Sequence, residues 1–186
     1  MNVTTVFRPL TAAEFQDMAE KGLFAPDMRL ELIDGRIEEM SPVGHKHAAI
    51  VNRISEYFFI SLGKQYSYSS QNPLVLLDDT QPQPDFMILR RAEDFYENAL
   101  PTAEHVLLVV EVSDSTLEKD LTVKLPRYAQ AGIAEVWIIN VNDAALYQFH
   151  TIDAATTTYR HQHYYYRGDE VPMTLGIHVL VNDVLG

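Results

Sequence analysis

The sequence predicts an α/β fold in which a central mixed β-sheet is flanked by helices and extended by extra antiparallel β strands. Three observations predict it. Val106–Val112 is nearly all apolar, as expected of a strand buried on both faces. A helical stretch, Thr116 to Ala131, leads on to a second apolar run, Glu135–Val141; the three read as a βαβ unit with a right-handed crossover. Asp34-Gly35 between two short runs of strand character is a strong hairpin signal. The chain's 186 residues suit a single domain, 1–186.

Taken in order, Thr11 to Lys21 predicts a short helix, because Thr11 can cap it, Glu14 completes a capping box and Gly22 ends it. Arg29–Ile33 and Arg36–Met40 are the hairpin strands, and Ser41–Gly44 is a loop. From His45 to Leu62, Ile50, Ile54, Tyr57, Phe58 and Leu62 recur at helical spacing, and Gly63 closes the helix. Tyr66–Leu77 predicts one or two strands, Asp78–Pro84 a turn-rich loop and Asp85–Leu89 a short strand. Arg90–Thr102 is polar and irregular. After the βαβ unit, Asn142-Asp143 turns into the strand Leu146–His150, and Tyr159–Tyr166 and Met173–Leu180 complete a β-rich tail.

Composition narrows the function classes. Hydrophobic residues make up 47% of the chain, enough for a real core. There is no cysteine, which excludes disulfides and thiolate metal sites and fits a reducing compartment. Met1 to Leu10 has no apolar leader segment, and no uninterrupted apolar stretch could cross a bilayer. The expectation is therefore a cytoplasmic protein with no membrane partner. A net charge of −12 by itself favours a protein or small-molecule partner over nucleic acid, because phosphate contacts come from basic patches.

One constellation nevertheless points to phosphodiester chemistry. A hard cation wants oxygen ligands, so carboxylates must converge on it. A nearby lysine can orient water and offset developing charge. Asp85 follows Pro84 and opens a strand. Glu111 stands at the end of the most apolar strand, where a carboxylate is costly to bury unless it is paired or holds a metal. Lys124 lies on the next helix one turn after Asp120, and Glu31 sits on the first hairpin.

The segments Glu31-Leu32-Ile33-Asp34-Gly35, Met40-Ser41-Pro42, His47, Pro84-Asp85, Val110 to Thr116, Asp120, Lys124, Tyr128, Ala131-Gly132-Ile133 and Glu135 to Ile138 together resemble the Uma-two family of endonucleases. The likeness runs in order from about residue 5 to residue 180. That family belongs to the PD-(D/E)XK, restriction endonuclease-like superfamily, so the resemblance implies that fold. It also implies metal ligands Asp85 and Glu111, with the backbone carbonyl of Val112 as a third and Glu31 as an additional acid holding the metal or a bound water. The lysine usual two residues after the acid is absent, since Ser113 stands there, and Lys124 would take its role.

Plainer readings stand beside these. Asp85 could be a turn residue, Glu31 a half-exposed hairpin acid, and Asp120 with Lys124 an ordinary helix-surface ion pair worth only about 0.2–0.5 kcal/mol. His47 and Ser113 are candidates for substrate contact, against readings as a solvated helix-start histidine and a loop residue. His45 and His47 have no third ligand at a familiar zinc spacing. The expected function is a metal-dependent endonuclease using Mg2+ or Mn2+ on DNA, with double-strand cleavage favouring a homodimer. The competing expectation is a catalytically idle scaffold that binds a protein. A basic surface beside Asp85 and Glu111 would favour the first, and acidic walls the second.

Overall fold

The computed structural model describes residues 8–186, so most of the reading of Met1 to Leu10 lies outside the described residues. A six-stranded mixed sheet has the order β3-β4-β5-β6-β7-β8. Its strands are β3 (Tyr66–Ser69), β4 (Phe86–Arg90), β5 (Val106–Ser113), β6 (Glu135–Asn140), β7 (Ala145–Asp153) and β8 (Thr158–Tyr165). Only β5 and β6 run parallel within it; the other neighbours pair antiparallel. The predicted βαβ unit is thus the centre of the sheet.

Alternation along β4, β5 and β6 divides the core in two. On one face, helix α2 (His45–Leu62) lays Ile50, Ile54 and Phe58 against Phe86, Val110 and Trp137. On the other, Met87, Val109, Val136 and Ile138 pack with Tyr128 and Ala129. Gly63, at φ 62°, lets the chain leave α2 with its amide donating to the Phe59 carbonyl.

The first hairpin is a separate ribbon. β1 (Leu30–Ile33) pairs with β2 (Arg36–Glu39) across Asp34 and Gly35, both at positive φ, as an Asp-Gly turn demands. The ribbon meets the rest of the chain at one bridge, Leu32 with Gln81, in the loop before β4. It packs with α1 (Ala12–Glu20) through a small cluster of its own, Ala12, Phe15, Leu30 and Leu32. The predicted Thr11–Glu14 capping box is present.

The structure departs from the expectations in four places. Strand structure after α2 covers only Tyr66–Ser69; residues 70–77 form an irregular segment held by isolated bridges. Pairing in β4 begins at Phe86, because Pro84 offers no amide to a ladder. The helix after β5 is not uniform: α3 (Leu117–Lys119) passes into a π turn (Asp120–Lys124) and then α4 (Leu125–Gln130). Pro126 lies just beyond that turn, where it removes an amide and its ring presses on the carbonyl four residues earlier, which widens a helix. The C-terminal strand divides into β9 (Glu170–Pro172) and β10 (His178–Leu180), followed by a short helix α5 (Val181–Leu185).

Candidate active site

Four elements bring the predicted side chains together. Extending the β4–β5 register by one residue sets Asp85 opposite Glu111, and by two sets Pro84 opposite Val112. With no amide on Pro84, the Val112 amide donates instead to Asp85 Oδ2 at 2.8 Å. A strand residue sends its carbonyl to the same side as its amide, so the Val112 carbonyl faces that gap too. Asp85 Oδ1 lies 2.7 Å from His47 Nε2 on α2, and Gln71 Nε2 donates to it at 3.4 Å. A turn or cap role for Asp85 alone is thereby set aside, since its two oxygens serve three elements.

Glu111 points to the opposite face from Val112, toward the π turn and α4. Its Oε1 accepts from the Tyr128 hydroxyl at 2.5 Å and from Lys124 Nζ at 3.3 Å. Lys124 also stands 3.1 Å from Glu31 Oε2 and 4.0 Å from Asp120 Oδ1. Lys124 is 5% exposed and Asp120 3%, so the surface ion-pair reading fails. Nor is Glu31 half-exposed: it is 2% exposed, and Lys119 Nζ bridges its Oε1 at 2.7 Å to Glu38 at 2.6 Å. Asp120 Oδ2 accepts from Ser113 Oγ and Thr116 Oγ1, each at 2.7 Å. Ser113 is therefore buried and committed to Asp120, away from the cleft lining.

Burial dominates the electrostatics. It pushes the Glu111 carboxyl up to about 8, helped by Asp120 and Asp85 and opposed by Lys124 and the Tyr128 hydroxyl. Burial would depress Lys124, yet Glu111, Glu31 and Asp120 outweigh it and hold the ammonium above its ordinary range. Burial would raise Glu31, but Lys124 and Lys119 bring its net shift below the ordinary value. Tyr128 is raised well above a normal phenol, by burial first and then by Glu111.

These groups border a cleft of about 250 Å³, floored by Glu31, Asp85, Glu111, Asp120 and Lys124 and rimmed by Arg29 and the Met40–Gly44 loop. Among the described residues, no three histidine, aspartate or glutamate side chains are gathered as a ready metal cage. The donor chemistry still suits a hard cation: two carboxylates flank a backbone carbonyl, and the buried Glu31 Oε2 lacks a hydrogen bond of acceptable geometry despite the nearby ammonium. Asp85, Glu111 and the Val112 carbonyl are the atoms that would hold it.

Sequence reasoning singled out Tyr128 without giving it a role and passed over Lys119. The signal for Tyr128 was spacing, because Asp120, Lys124 and Tyr128 recur every four residues on one helix face. Lys119 had no comparable signal, since its partners come from the hairpin.

Comparison with known proteins supports this architecture. The family model described as Uma2, "Putative restriction endonuclease", matches residues 12–183. A crystal structure from Anabaena variabilis, described as "a putative nuclease belonging to DUF820", superposes with a TM-score of 0.69. It shares 14% identity, over 95% of this chain and 98% of that one, which is a likeness of fold. No curated protein matches the chain.

Proposed function

We propose, from the premise that this chain belongs to the Uma2 family of restriction endonuclease-like proteins, that residues 1–186 act as one domain hydrolysing DNA phosphodiester bonds with a divalent cation. The observation that supports it is the meeting of Asp85, Glu111 and Lys124 where β5 meets the helix, on the floor of an accessible cleft. Asp85, Glu111 and the Val112 carbonyl hold Mg2+ or Mn2+. When bound, the cation supplies Lewis-acid charge beside the scissile phosphate.

The chain's own residues do the rest. Lys124 stays an ammonium among its carboxylates, so it acts as donor and charge rather than as base. It orients the attacking water and offsets charge growing on the phosphate oxygens. Water oxygen bonds to phosphorus, the bond from phosphorus to the 3′-oxygen breaks, and a proton passes through solvent to that leaving oxygen. Glu31, fixed by Lys119, keeps Lys124 in place and offers its free oxygen to the metal or a water. His47 positions Asp85 through their shared hydrogen bond.

One observation favours the scaffold reading: Glu31, Glu39, Asp85, Glu111, Asp114 and Asp120 outnumber the cations along the cleft. A direct assay separates the two. Purified protein is incubated with plasmid and with single-stranded DNA, with and without Mn2+, beside Glu111→Ala. Manganese-dependent nicking that is absent from Glu111→Ala is expected. Intact DNA in every lane would leave the scaffold.

A further inference from the structure

We infer that a basic pocket beside the cleft, formed by Lys46, Arg53 and Arg167 with His45, anchors a phosphate of the DNA strand whose neighbouring diester lies in the cleft. This rests on the hydrolytic reading for its substrate but concerns a different set of residues. The pocket is about 310 Å³, walled by Ala49, Ile50, Val141, Ala144 and Leu185 besides the basic groups, and no carboxylate side chain lines it. On a chain of net charge −12, three permanent cations around one acid-free hollow form a local positive surface.

Its place in the fold supports the assignment. β5 and β6 are parallel, and Ser113 registers with Asn140, so the segments that follow them leave the sheet side by side. One leads to Asp114 and the cleft rim; the other leads to Val141 and Ala144 in the basic pocket. Asn142 Nδ2 donates to the Asp114 carbonyl at 2.7 Å and ties the two rims together. The first turn of α2 forms the wall between them, with Gly44 and His47 lining the cleft and His45 and Lys46 lining the pocket. Neighbouring strands lie about 4.8 Å apart, and phosphates of one strand step about 3.4 Å along the duplex axis, so a strand in the cleft brings a later phosphate within reach of this pocket. The cleft is rich in acids and cannot itself supply the counter-charge that holds a polyanion; the pocket can.

Arg53 is already engaged, its Nη1 donating to the Leu185 carbonyl at 3.0 Å, so the test uses the exposed Lys46 and Arg167. Binding of a duplex oligonucleotide is measured in EDTA across a salt series for wild type and for Lys46→Glu with Arg167→Glu. The same proteins are assayed with Mn2+ on bis(p-nitrophenyl) phosphate, which is too small to span both sites. The double variant is expected to bind duplex about tenfold more weakly, with a log–log salt slope shallower by about 1.8, at about 0.9 per phosphate contact. Turnover of the small diester is expected to stay unchanged. Unaltered duplex affinity and slope, no duplex binding by wild type, or an equal loss on the small diester would each overturn the anchor. Salt-dependent duplex binding that weakens in the variant, with no hydrolysis by wild type, would keep the anchor and remove the hydrolytic reading instead.

Discussion

At the scale of single residues, the buried charges decide what a substitution does. Asp85→Asn keeps one oxygen for the Val112 amide but loses its charge, so Mn2+-dependent nicking is expected to vanish while urea unfolding in EDTA moves by no more than about 1 kcal/mol. Full cleavage by that variant would take Asp85 out of the chemistry. Lys124→Ala strands Glu31, Glu111 and Asp120 without their shared cation, and breaking such a buried pair costs about 3–5 kcal/mol. Urea denaturation should show that loss, and turnover should fall further than Mn2+ affinity; a loss near 0.5 kcal/mol or less would return Lys124 to the surface role that burial argues against. Glu111 and Asp85 were legible in the sequence because a carboxylate closing an apolar strand and an acid after proline each break a local pattern. Lys119 was not legible, and neither was the burial of Glu31, because both depend on contacts between segments distant in the chain.

At the scale of elements, local signals predicted well where the chain satisfies its own groups. The capping box of α1 follows from Thr11 and Glu14 alone. Its carboxylate is held down at about 2 by the Arg8 guanidinium first and by the Thr11 amide next. A carboxyl whose folded value lies below its unfolded one adds stability above its ordinary value near 4.5 and loses it as pH falls through about 2. The urea midpoints of wild type and Glu14→Gln are therefore expected to differ at pH 6 and to converge between about pH 4.5 and pH 2; a constant gap across that range would show that the carboxylate's charge is idle. The π turn was harder to see. Pro126 announces a disturbance in the helix, but its form depends on Asp120 finding Ser113 and Lys124 finding two acids. The tail was misjudged for a related reason: Met173–Leu180 is apolar enough for a strand, yet its centre turns at Gly176, with φ 80°, and the chain re-forms as α5 against α2.

At the scale of the whole molecule, the family-level fold followed from the central βαβ unit, and the order of strands around it needed the coordinates. A cation bound only by the folded site stabilises the entire chain, by about 2.7 kcal/mol at about a hundredfold excess over its dissociation constant. The thermal midpoint should rise on adding Mn2+, and the rise should disappear in Asp85→Asn; an equal rise in both proteins would place the ion elsewhere. The detached ribbon of β1 and β2 has a consequence of its own. Glu31 rides on it, as do Asp34, the bidentate partner of Arg127, and Glu38, the second partner of Lys119, whereas Asp85, Glu111 and Lys124 belong to the sheet and its helix. Amide exchange is expected to separate the two bodies, with β1 and β2 trading protons sooner than β5 and β6. Each excursion of the ribbon would withdraw one acid and leave the other two standing, so the molecule carries an interruptible ligand shell hung from an uninterrupted frame.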